Sequence, residues 1–338
     1  MNMEEMIKSF PRQLKEQYNT LQNLNFNLDE FLNIDQIVVC GMGGSAISGD
    51  IAKLIIGDNI EKSIQVIRDY DCSKVYKNNS TLFIISSYSG NTEETLSMYN
   101  IAKTCSKKII CVTTGGELKK IADNDNIPVV LIPTDFQPRA ALGYSLMSLI
   151  VIFNKLNFIS KSIIDSVLES IPDLHSFYSD FCKEGQNAYK IAESIYSGFI
   201  YIYGTSLTDP IASRFRAQIS ENAKLLASHS ILPELNHNEI EGFGTNPFPN
   251  ISRNVLWMID KNDHEQVQKR MKITSEIFEN MGINNFDISI SNNNSGSFIS
   301  RSLELVYLTD WISYYLAKFN QVDPIPVNTI MKLKDKMS

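Results

Sequence analysis

The sequence predicts an α/β protein made of two similar domains, each with a parallel β-sheet flanked by helices. First, short β-branched runs alternate with amphipathic helical patterns along the chain, which is typical of sheets covered on both faces. Second, there is a faint internal repeat, because Val38-Val-Cys-Gly41 and Tyr201-Ile-Tyr-Gly204 each lead into a hydroxyl-bearing segment. Third, 338 residues are enough for two domains of about 150 residues each.

The strands are predicted from runs that are apolar on both faces, as buried parallel strands are. In chain order they are 36–40, 64–68, 82–86, 108–112, 128–132, 199–203, 255–259 and a run near 285–290. Helical patterns lie near 45–57, 92–106, 117–124, 140–158, 185–196, 208–227, 263–280 and 299–319. Residues 161–172 are polar enough to be a connector. We therefore expect one domain over residues 1–155 and a second over residues 156–338.

Composition excludes several classes of protein. The net charge is −7 and Lys and Arg are scattered, so no basic face for nucleic acid is expected. The most apolar stretch, 146–153, is far shorter than the ~20 residues that cross a bilayer. Five cysteines without a C-x-x-C pair fit neither a disulfide framework nor a zinc knuckle. The acidic N-terminus is unlike a secretory signal. We expect a cytoplasmic protein with no membrane, nucleic-acid or metal partner.

A glycine-rich segment, Gly41-Met-Gly-Gly-Ser-Ala-Ile-Ser-Gly49, follows the first predicted strand and opens a helix. Glycines let the backbone approach a ligand closely, and a helix N-terminus offers N–H groups and the positive end of the helix dipole. These properties favour an anion site around Gly44 and Ser45. The segment also fits the G-x-G-x-x-A dinucleotide fingerprint, with Asp69 as the ribose-binding acid. A turn that only packs a helix on a strand is a third interpretation.

A second polar segment follows the strand predicted at 82–86 and reads Ser86-Ser-Tyr-Ser-Gly-Asn-Thr-Glu-Glu94. Its hydroxyl and backbone N–H groups can hold a phosphate dianion without arginine. A capping box formed by Asn91 and Glu94 is the structural alternative, but it leaves Ser87, Ser89 and Gly90 unexplained. Dinucleotide folds do not need this second loop, so it favours a small phosphorylated ligand.

These two loops and four further motifs carry a family resemblance. Gly43-Gly-Ser-Ala46 followed by Ser87-Tyr-Ser-Gly-Asn-Thr-Glu-Glu-Thr95 is similar to the sugar isomerase (SIS) domain. The further motifs are Pro138-Arg-Ala-Ala-Leu-Gly143, Glu221-Asn-Ala-Lys224, Glu234-Leu-Asn-His-Asn-Glu239 and Asp323-Pro-Ile-Pro-Val327. From about residue 35 to the C-terminus, the chain resembles the bifunctional phosphoglucose/phosphomannose isomerase family. The resemblance implies two SIS-type domains.

The resemblance also implies a division of roles among site residues. The phosphate would be held by Gly44, Ser45, Ser87, Ser89 and Thr92. Glu221 would be the base that moves a proton between C2 and C1, and Arg139 would stabilise the enediolate. His237 and Lys334 would assist ring opening, with Lys332 as the alternative lysine.

Each catalytic candidate also has a structural interpretation. An isolated Glu is usually solvated on a helix, Arg139 can be a residue at a helix start, and a lone His is usually structural. No second His follows His237 at metal-ligand spacing.

The predicted function is therefore metal-free, cofactor-free isomerisation of glucose 6-phosphate, and of mannose 6-phosphate, with fructose 6-phosphate through a cis-enediol. The family's small hydroxyl residue that accommodates mannose has no clear counterpart in 323–329, so the preference between the two sugars stays open. Two alternatives from other classes remain. One is a non-catalytic SIS protein that senses a sugar phosphate, and the other is a dinucleotide-dependent oxidoreductase.

The resemblance further implies a homodimer with a shared active site. Glu221 and His237 stand at the family's spacing. We expect the helix to end near Ala227 and residues 228–233 to carry the chain outward, so that His237 reaches the partner's site. The alternative is a surface loop on which His237 is simply exposed. Two-fold dimers are the commonest assembly of identical subunits.

Overall fold

The computed structural model describes residues 1–75, 80–288 and 296–337, and its two parallel sheets each have helices packed around them. The chain divides into two compact units. The first comprises Met1 and Lys8–Ile171, and the second comprises Asn2–Ile7 and Pro172–Ser338. The units thus divide after Ile171, whereas the sequence suggested a domain boundary after residue 155.

In the first unit, parallel strands pair in the order β2-β1-β3-β4-β5. They are β1 (Gln36–Gly41), β2 (Ser63–Ile67), β3 (Thr81–Ser87), β4 (Ile109–Thr113) and β5 (Val129–Leu131). β1, β3 and β4 are buried along their whole length, which explains why their sequences are apolar on both faces. The helices of this unit are α2 (Phe10–Leu21), α3 (Gly43–Ile56), α4 (Glu93–Cys105), α5 (Gly116–Asn124), α6 (Leu142–Lys155) and α7 (Lys161–Glu169).

The second unit repeats this arrangement with the order β7-β6-β8-β9. Its strands are β6 (Phe199–Gly204), β7 (Ser228–Ile231), β8 (Arg253–Trp257) and β9 (Asn284–Asp287). Its helices are α1 (Met3–Lys8, up to Ile7), α8 (Ile171–Phe177, from Pro172), α9 (Asn187–Ile195), α10 (Asp209–Gln218), α11 (Glu265–Asn280), α12 (Phe298–Phe319) and α13 (Asn328–Met337). β6 corresponds to β1, so the faint repeat marks the same strand of two similar sheets.

The predicted α/β fold with two parallel sheets is confirmed, and three local predictions are wrong. Residues 161–172 are not a connector, because α7 fills most of this stretch and buries Ile163, Ile164 and Val167 on one face. The helix predicted at 208–227 ends early, since α10 stops at Gln218 and a π-helical turn follows over Ile219–Ala223. The strand predicted at 285–290 is β9, and residues 289 and 290 lie outside the described residues.

Residues 228–233 do not run outward as expected. Ser228–Ile231 form β7, which pairs in parallel with β6 at the edge of the chain's own sheet. His237 follows on a short 3₁₀ helix, Glu234–His237.

In the ranges that the structure describes, no helix is long and apolar enough to cross a membrane.

α12 lies at the centre of the second unit and is buried over most of its length. Its Asp310 receives hydrogen bonds from Arg214 and Gln218 of α10, and both members of the Arg214–Asp310 pair are 4% exposed. Near the start of α12, Arg301 forms a bidentate ion pair with Asp260, and both hydrogen bonds are 2.8 Å long. These buried pairs fix α12 against α10 and against the segment that follows β8.

One buried carboxyl on α12 has an environment that raises its pKa. Glu304 is 2% exposed, and its Oε2 has no hydrogen-bond partner in the described structure. Burial, reinforced by the nearby Asp173 carboxylate, raises the pKa of Glu304 to about 7. The folded state therefore holds a proton that the unfolded state loses above its ordinary pKa of about 4.3.

We expect the free energy of unfolding to fall as the pH rises from about 4.5 to 7, by up to about 3 kcal/mol. The Glu304→Gln variant should lose this dependence and exceed the wild type in stability at pH 8. Urea unfolding at pH 5 and pH 8 measures both effects, and Glu193→Gln, an exposed position on α9, is the control. Equal pH profiles for wild type and Glu304→Gln would show that Glu304 is not the group responsible.

Candidate active site

The candidate phosphate site lies where two loops leave the sheet of the first unit in different directions. In the order β2-β1-β3-β4-β5, the chain connections from β1 and β3 diverge, and such switch points form the ligand crevice of open α/β sheets. β1 ends at Gly41 and β3 ends at Ser87. The glycine-rich and hydroxyl-rich loops therefore meet at one end of the sheet.

Gly44 allows the first loop to approach its neighbour closely. A Cβ on Gly44 would stand 2.8 Å from the backbone oxygen of Pro138 and 3.5 Å from the Cα of Arg139. Any side chain at position 44 would push these segments apart. The start of α3 and the turn that carries Arg139 are consequently in direct contact.

A hydrogen bond joins the glycine-rich loop to the hydroxyl-rich loop. The backbone N–H of Tyr88 donates to Ser45 Oγ at 3.1 Å, and both residues are buried. A hydroxyl that accepts one bond still has its own proton to donate. Ser45 can therefore donate to an anion while it holds the two loops together.

The hydroxyl-rich loop is shaped by bonds among its own residues. Ser87 Oγ donates to Thr92 Oγ1 at 3.1 Å and accepts from the N–H of Gly90 at 3.1 Å. Ser89 is exposed, and its Oγ accepts from the N–H of Asn91 at 3.2 Å. Side chains 87, 89 and 92 thus lie around the same turn.

The capping-box interpretation of this loop is wrong. α4 begins at Glu93 with Thr92 at the N-cap position, and Thr92 makes no side-chain capping bond. Asn91 Oδ1 instead accepts from the N–H of Glu117 at the start of α5. The Thr92 hydroxyl at a helix N-terminus is therefore well placed to meet a phosphate oxygen.

The loop after β4 supports the hydroxyl-rich loop, a role that was not predicted from the sequence. Gly90 has φ +68°, and a Cβ there would stand 1.9 Å from the backbone oxygen of Gly115. Thr114 donates both its N–H and its Oγ1 proton to the Tyr88 carbonyl. The signal for this support was Thr113-Thr-Gly-Gly116, a small polar run directly after a strand.

At the corresponding end of the second sheet, buried polar side chains bond one another and the backbone. Arg301 pairs with Asp260, and the N–H of Asp260 donates to Asp263 Oδ2 at 2.7 Å. Thr208 Oγ1 donates to the Met258 carbonyl at 2.6 Å. Burial raises the pKa of Asp263, and a bond from Thr205 partly opposes this. Two buried aspartates lie at this end of the sheet, where the first unit has serine and threonine hydroxyls.

Glu221 lies in the π-helical turn that ends α10, and it is half-buried. Its neighbour Asn222 is fully buried and donates to Ser313 Oγ on α12 at 2.9 Å. The Ala223 carbonyl accepts from Asn320 at 2.8 Å. Lys224 has φ +58° and donates to the Glu221 and Pro324 carbonyls. The backbone around Glu221 is therefore held from several sides.

A cavity of about 480 Å³ adjoins this turn. It is lined by Ser220, Glu221, Lys224, Leu225, Leu226, Pro326, Val327, Asn328, Thr329 and Ile330. A half-buried carboxylate at a cavity of this size is a suitable general base for a small substrate. The Asp323–Val327 motif is thus brought to Glu221, although it is remote in sequence.

His237 and Lys334 are not among the described residues that line this cavity. His237 is exposed at the end of its 3₁₀ helix, and Lys334 and Lys332 are exposed on α13. In the first unit, by contrast, Gly44, Ser45, Ser87, Ser89, Thr92 and Arg139 all belong to the loops and the turn described above.

Comparison with known proteins shows which family the chain is similar to over its whole length. The family described as bacterial phospho-glucose isomerase C-terminal SIS domain matches residues 184–337. The chain is 38% identical over 342 residues to the bifunctional phosphoglucose/phosphomannose isomerase of Caldicellulosiruptor bescii, covering 99% of each chain. It is 36% identical over 303 residues to the Aquifex aeolicus protein of the same name, covering 89% of this chain and 90% of that one.

A solved structure shows the same fold at low sequence identity. Tagatose-6-phosphate ketose/aldose isomerase from Escherichia coli matches with a TM-score of 0.70 and 16% identity, covering 95% of this chain and 94% of that chain. At this identity the match concerns the fold alone.

Proposed function

Because the chain belongs to the bifunctional phosphoglucose/phosphomannose isomerase family, we propose that it interconverts glucose 6-phosphate and mannose 6-phosphate with fructose 6-phosphate. The two aldoses differ in configuration at C2, and removal of the C2 proton gives both the same cis-enediol. Because the C2 protons of the two aldoses lie on opposite faces of this enediol, one base serves both substrates when the bound sugar turns about its C2–C3 bond.

The observation that carries this proposal is the convergence of hydroxyl groups at the switch point of the first sheet. Ser45 is bonded to the loop of Ser87, and Ser87 is bonded to Thr92. Neutral hydroxyl and N–H donors at a helix N-terminus suit a phosphate dianion. Gly44, Ser45, Ser87, Ser89 and Thr92 would hold the 6-phosphate in this arrangement.

The remaining roles follow from the chemistry of the reaction. Glu221 would take the C2 proton and return it to C1. Arg139 would stabilise the negative charge that develops on the enediolate oxygens. His237 would move a proton between the ring oxygen and the C1 hydroxyl during ring opening, and Lys334 would bind the same oxygens. No step requires a metal ion or an organic cofactor.

A coupled assay with purified protein tests the proposal. We expect fructose 6-phosphate to form from glucose 6-phosphate and from mannose 6-phosphate, with unchanged rates when a chelator replaces added metal. Other 6-phosphosugars and unphosphorylated glucose serve as comparison substrates. Tight sugar-phosphate binding without turnover would favour a sensor over an isomerase.

The phosphate loops make a separate prediction. Ser89→Ala and Thr92→Ala should each raise KM by about tenfold to hundredfold, because each removes a charge-assisted hydrogen bond to the phosphate. Ser97→Ala is the matched control, since this hydroxyl on α4 bonds only the Tyr70 carbonyl in the contacts described. Steady-state kinetics with glucose 6-phosphate gives both constants. If both loop variants kept the KM of the control, the phosphate would have to bind elsewhere.

We also propose that the enzyme is a homodimer in which His237 serves the site of the partner subunit. Two observations support this: His237 is exposed, and the described lining of the Glu221 cavity does not include it.

The reaction that we propose belongs to glycolysis and gluconeogenesis, which fits a cytoplasmic enzyme.

Mixing two inactive variants tests the shared site. Glu221→Gln and His237→Ala should each be inactive alone, but a heterodimer contains one site with both residues intact. Random subunit exchange should therefore restore about a quarter of wild-type activity. Mass spectrometry of differently labelled subunits verifies exchange. Exchange without recovery would place both residues in one subunit's site.

A further inference from the structure

The helix α2 reaches the turn that carries Arg139 through one buried side chain. Gln13 is fully buried at 0% exposure. Its Nε2 donates to the Ala140 carbonyl at 2.8 Å, and its Oε1 accepts from the N–H of Gly143 at 3.1 Å. The Nε2 also donates to Ser9 Oγ at 3.0 Å. The Gln13 side-chain amide thus bonds the backbone at two points between Arg139 and the start of α6.

Neither a different polar group nor a larger neighbouring residue would fit where the Gln13 side chain lies. A carboxylate at position 13 would place an acceptor against the Ala140 carbonyl, and an apolar side chain would leave both backbone groups without these bonds. A Cβ on Gly143 would stand 2.7 Å from the Gln13 Cβ. The backbone of α6 therefore approaches Gln13 as closely as a glycine permits.

The turn over Pro138–Ala140 is held on two sides. Gln13 bonds it from α2, and Gly44 at the start of α3 lies against the Pro138 carbonyl. Arg139, between these contacts, is 5% exposed. The position of its backbone thus depends on Gln13 on one side and on the phosphate loop on the other.

We propose that Gln13 is a positioning residue for Arg139 and that it sets the place of the cation relative to the phosphate loop. This inference rests on the proposed function, in which Arg139 stabilises the enediolate. Charge stabilisation of a transition state works only when the cation is already in place. Gln13 supplies that placement without touching the substrate.

Gln17 provides a matched control one helical turn further along α2. It is 1% exposed, and its Nε2 donates to the Leu131 carbonyl at 3.0 Å and to Ser148 Oγ at 2.9 Å. Gln13→Leu and Gln17→Leu therefore remove similar buried hydrogen bonds from the same helix. Only the first touches the Arg139 turn.

We expect Gln13→Leu to lower kcat by about tenfold to hundredfold, since small misplacements of reacting groups cost that much. KM should change by less than about threefold, because the hydroxyl loops remain intact. Gln17→Leu should lose a similar amount of thermal stability and keep a kcat close to that of the wild type. Gln13→Met, which keeps the length of the side chain, should behave as Gln13→Leu if the amide bonds are what matters.

A double-mutant cycle with Arg139→Lys separates positioning from general damage. If Gln13 acts through Arg139, Gln13→Leu should lower kcat much less in the Arg139→Lys background than in the wild type. Full additivity, or equal kcat for Gln13→Leu and Gln17→Leu, would overturn the inference while wild-type turnover still supports the proposed function. A wild type that does not isomerise the sugar phosphates would overturn both.

Discussion

Glu221→Gln should lower kcat for both sugar phosphates by about 10²–10⁴-fold, the usual cost of losing a proton-transfer group. Glutamine keeps the shape of the side chain but cannot accept the C2 proton. The turn around position 221 should keep its structure, because it is fixed by Asn222–Ser313 and by Asn320 on the Ala223 carbonyl. KM should stay near the wild-type value, since in the proposed function the loops after β1 and β3 bind the phosphate.

Glu276→Gln is the control for this experiment, as it changes an exposed carboxylate on α11 of the same unit. Circular dichroism and thermal unfolding should be the same for all three proteins. A kcat near that of the wild type in Glu221→Gln would exclude Glu221 as the base. A large rise in KM with unchanged kcat would instead assign it to substrate binding.

Asp310→Ala should lower the free energy of unfolding by about 3–5 kcal/mol, the usual cost of breaking a buried ion pair. The change takes the carboxylate away from the buried Arg214 guanidinium and from Gln218. Both partners lie on α10, the helix that leads into the Glu221 turn. We therefore expect kcat to fall as well, even well below the melting temperature.

Asp50→Ala is the matched comparison, because Asp50 pairs with Arg68 at the surface of the first unit. Exposed pairs contribute about 0–1 kcal/mol, so this variant should unfold almost as the wild type does. Urea unfolding of the three proteins measures the difference. Equal losses in Asp310→Ala and Asp50→Ala would contradict the role assigned to the buried pair.

The parallel sheets could be predicted from sequence because their central strands are buried on both faces. β1, β3 and β4 are continuous apolar runs bounded by Gly, Ser or Thr. Such runs are typical of strands in parallel sheets that are buried on both faces. β7 was missed because its sequence, Ser-His-Ser-Ile, lacks a β-branched run. Before it, Ala223 to Ala227 are mostly good helix formers, yet Lys224 takes a left-handed conformation and ends the helix.

Some residues of the candidate site could likewise be predicted from local sequence, and others could not. The residues of the two proposed phosphate-binding loops stand in short motifs that follow strands, so local sequence was sufficient to propose them. Gln13 could not be found, because its bond to the Ala140 carbonyl spans 127 residues and a Gln on an amphipathic helix looks like a surface residue. The contact of the Asn222 amide with Ser313 is likewise decided by the packing of α12, which no local pattern encodes.

The most direct test of the account is isomerisation of glucose 6-phosphate in D₂O, with the product analysed by NMR and mass spectrometry. A proton carried by the Glu221 carboxyl group exchanges with solvent during part of the turnovers. The account predicts deuterium at a single C1 position of fructose 6-phosphate, because the proton leaves and returns on the same face of the cis-enediol. Glu221→Gln should abolish this incorporation. Product formed over many turnovers without any deuterium at C1 is the result expected of direct hydride transfer and would contradict the account.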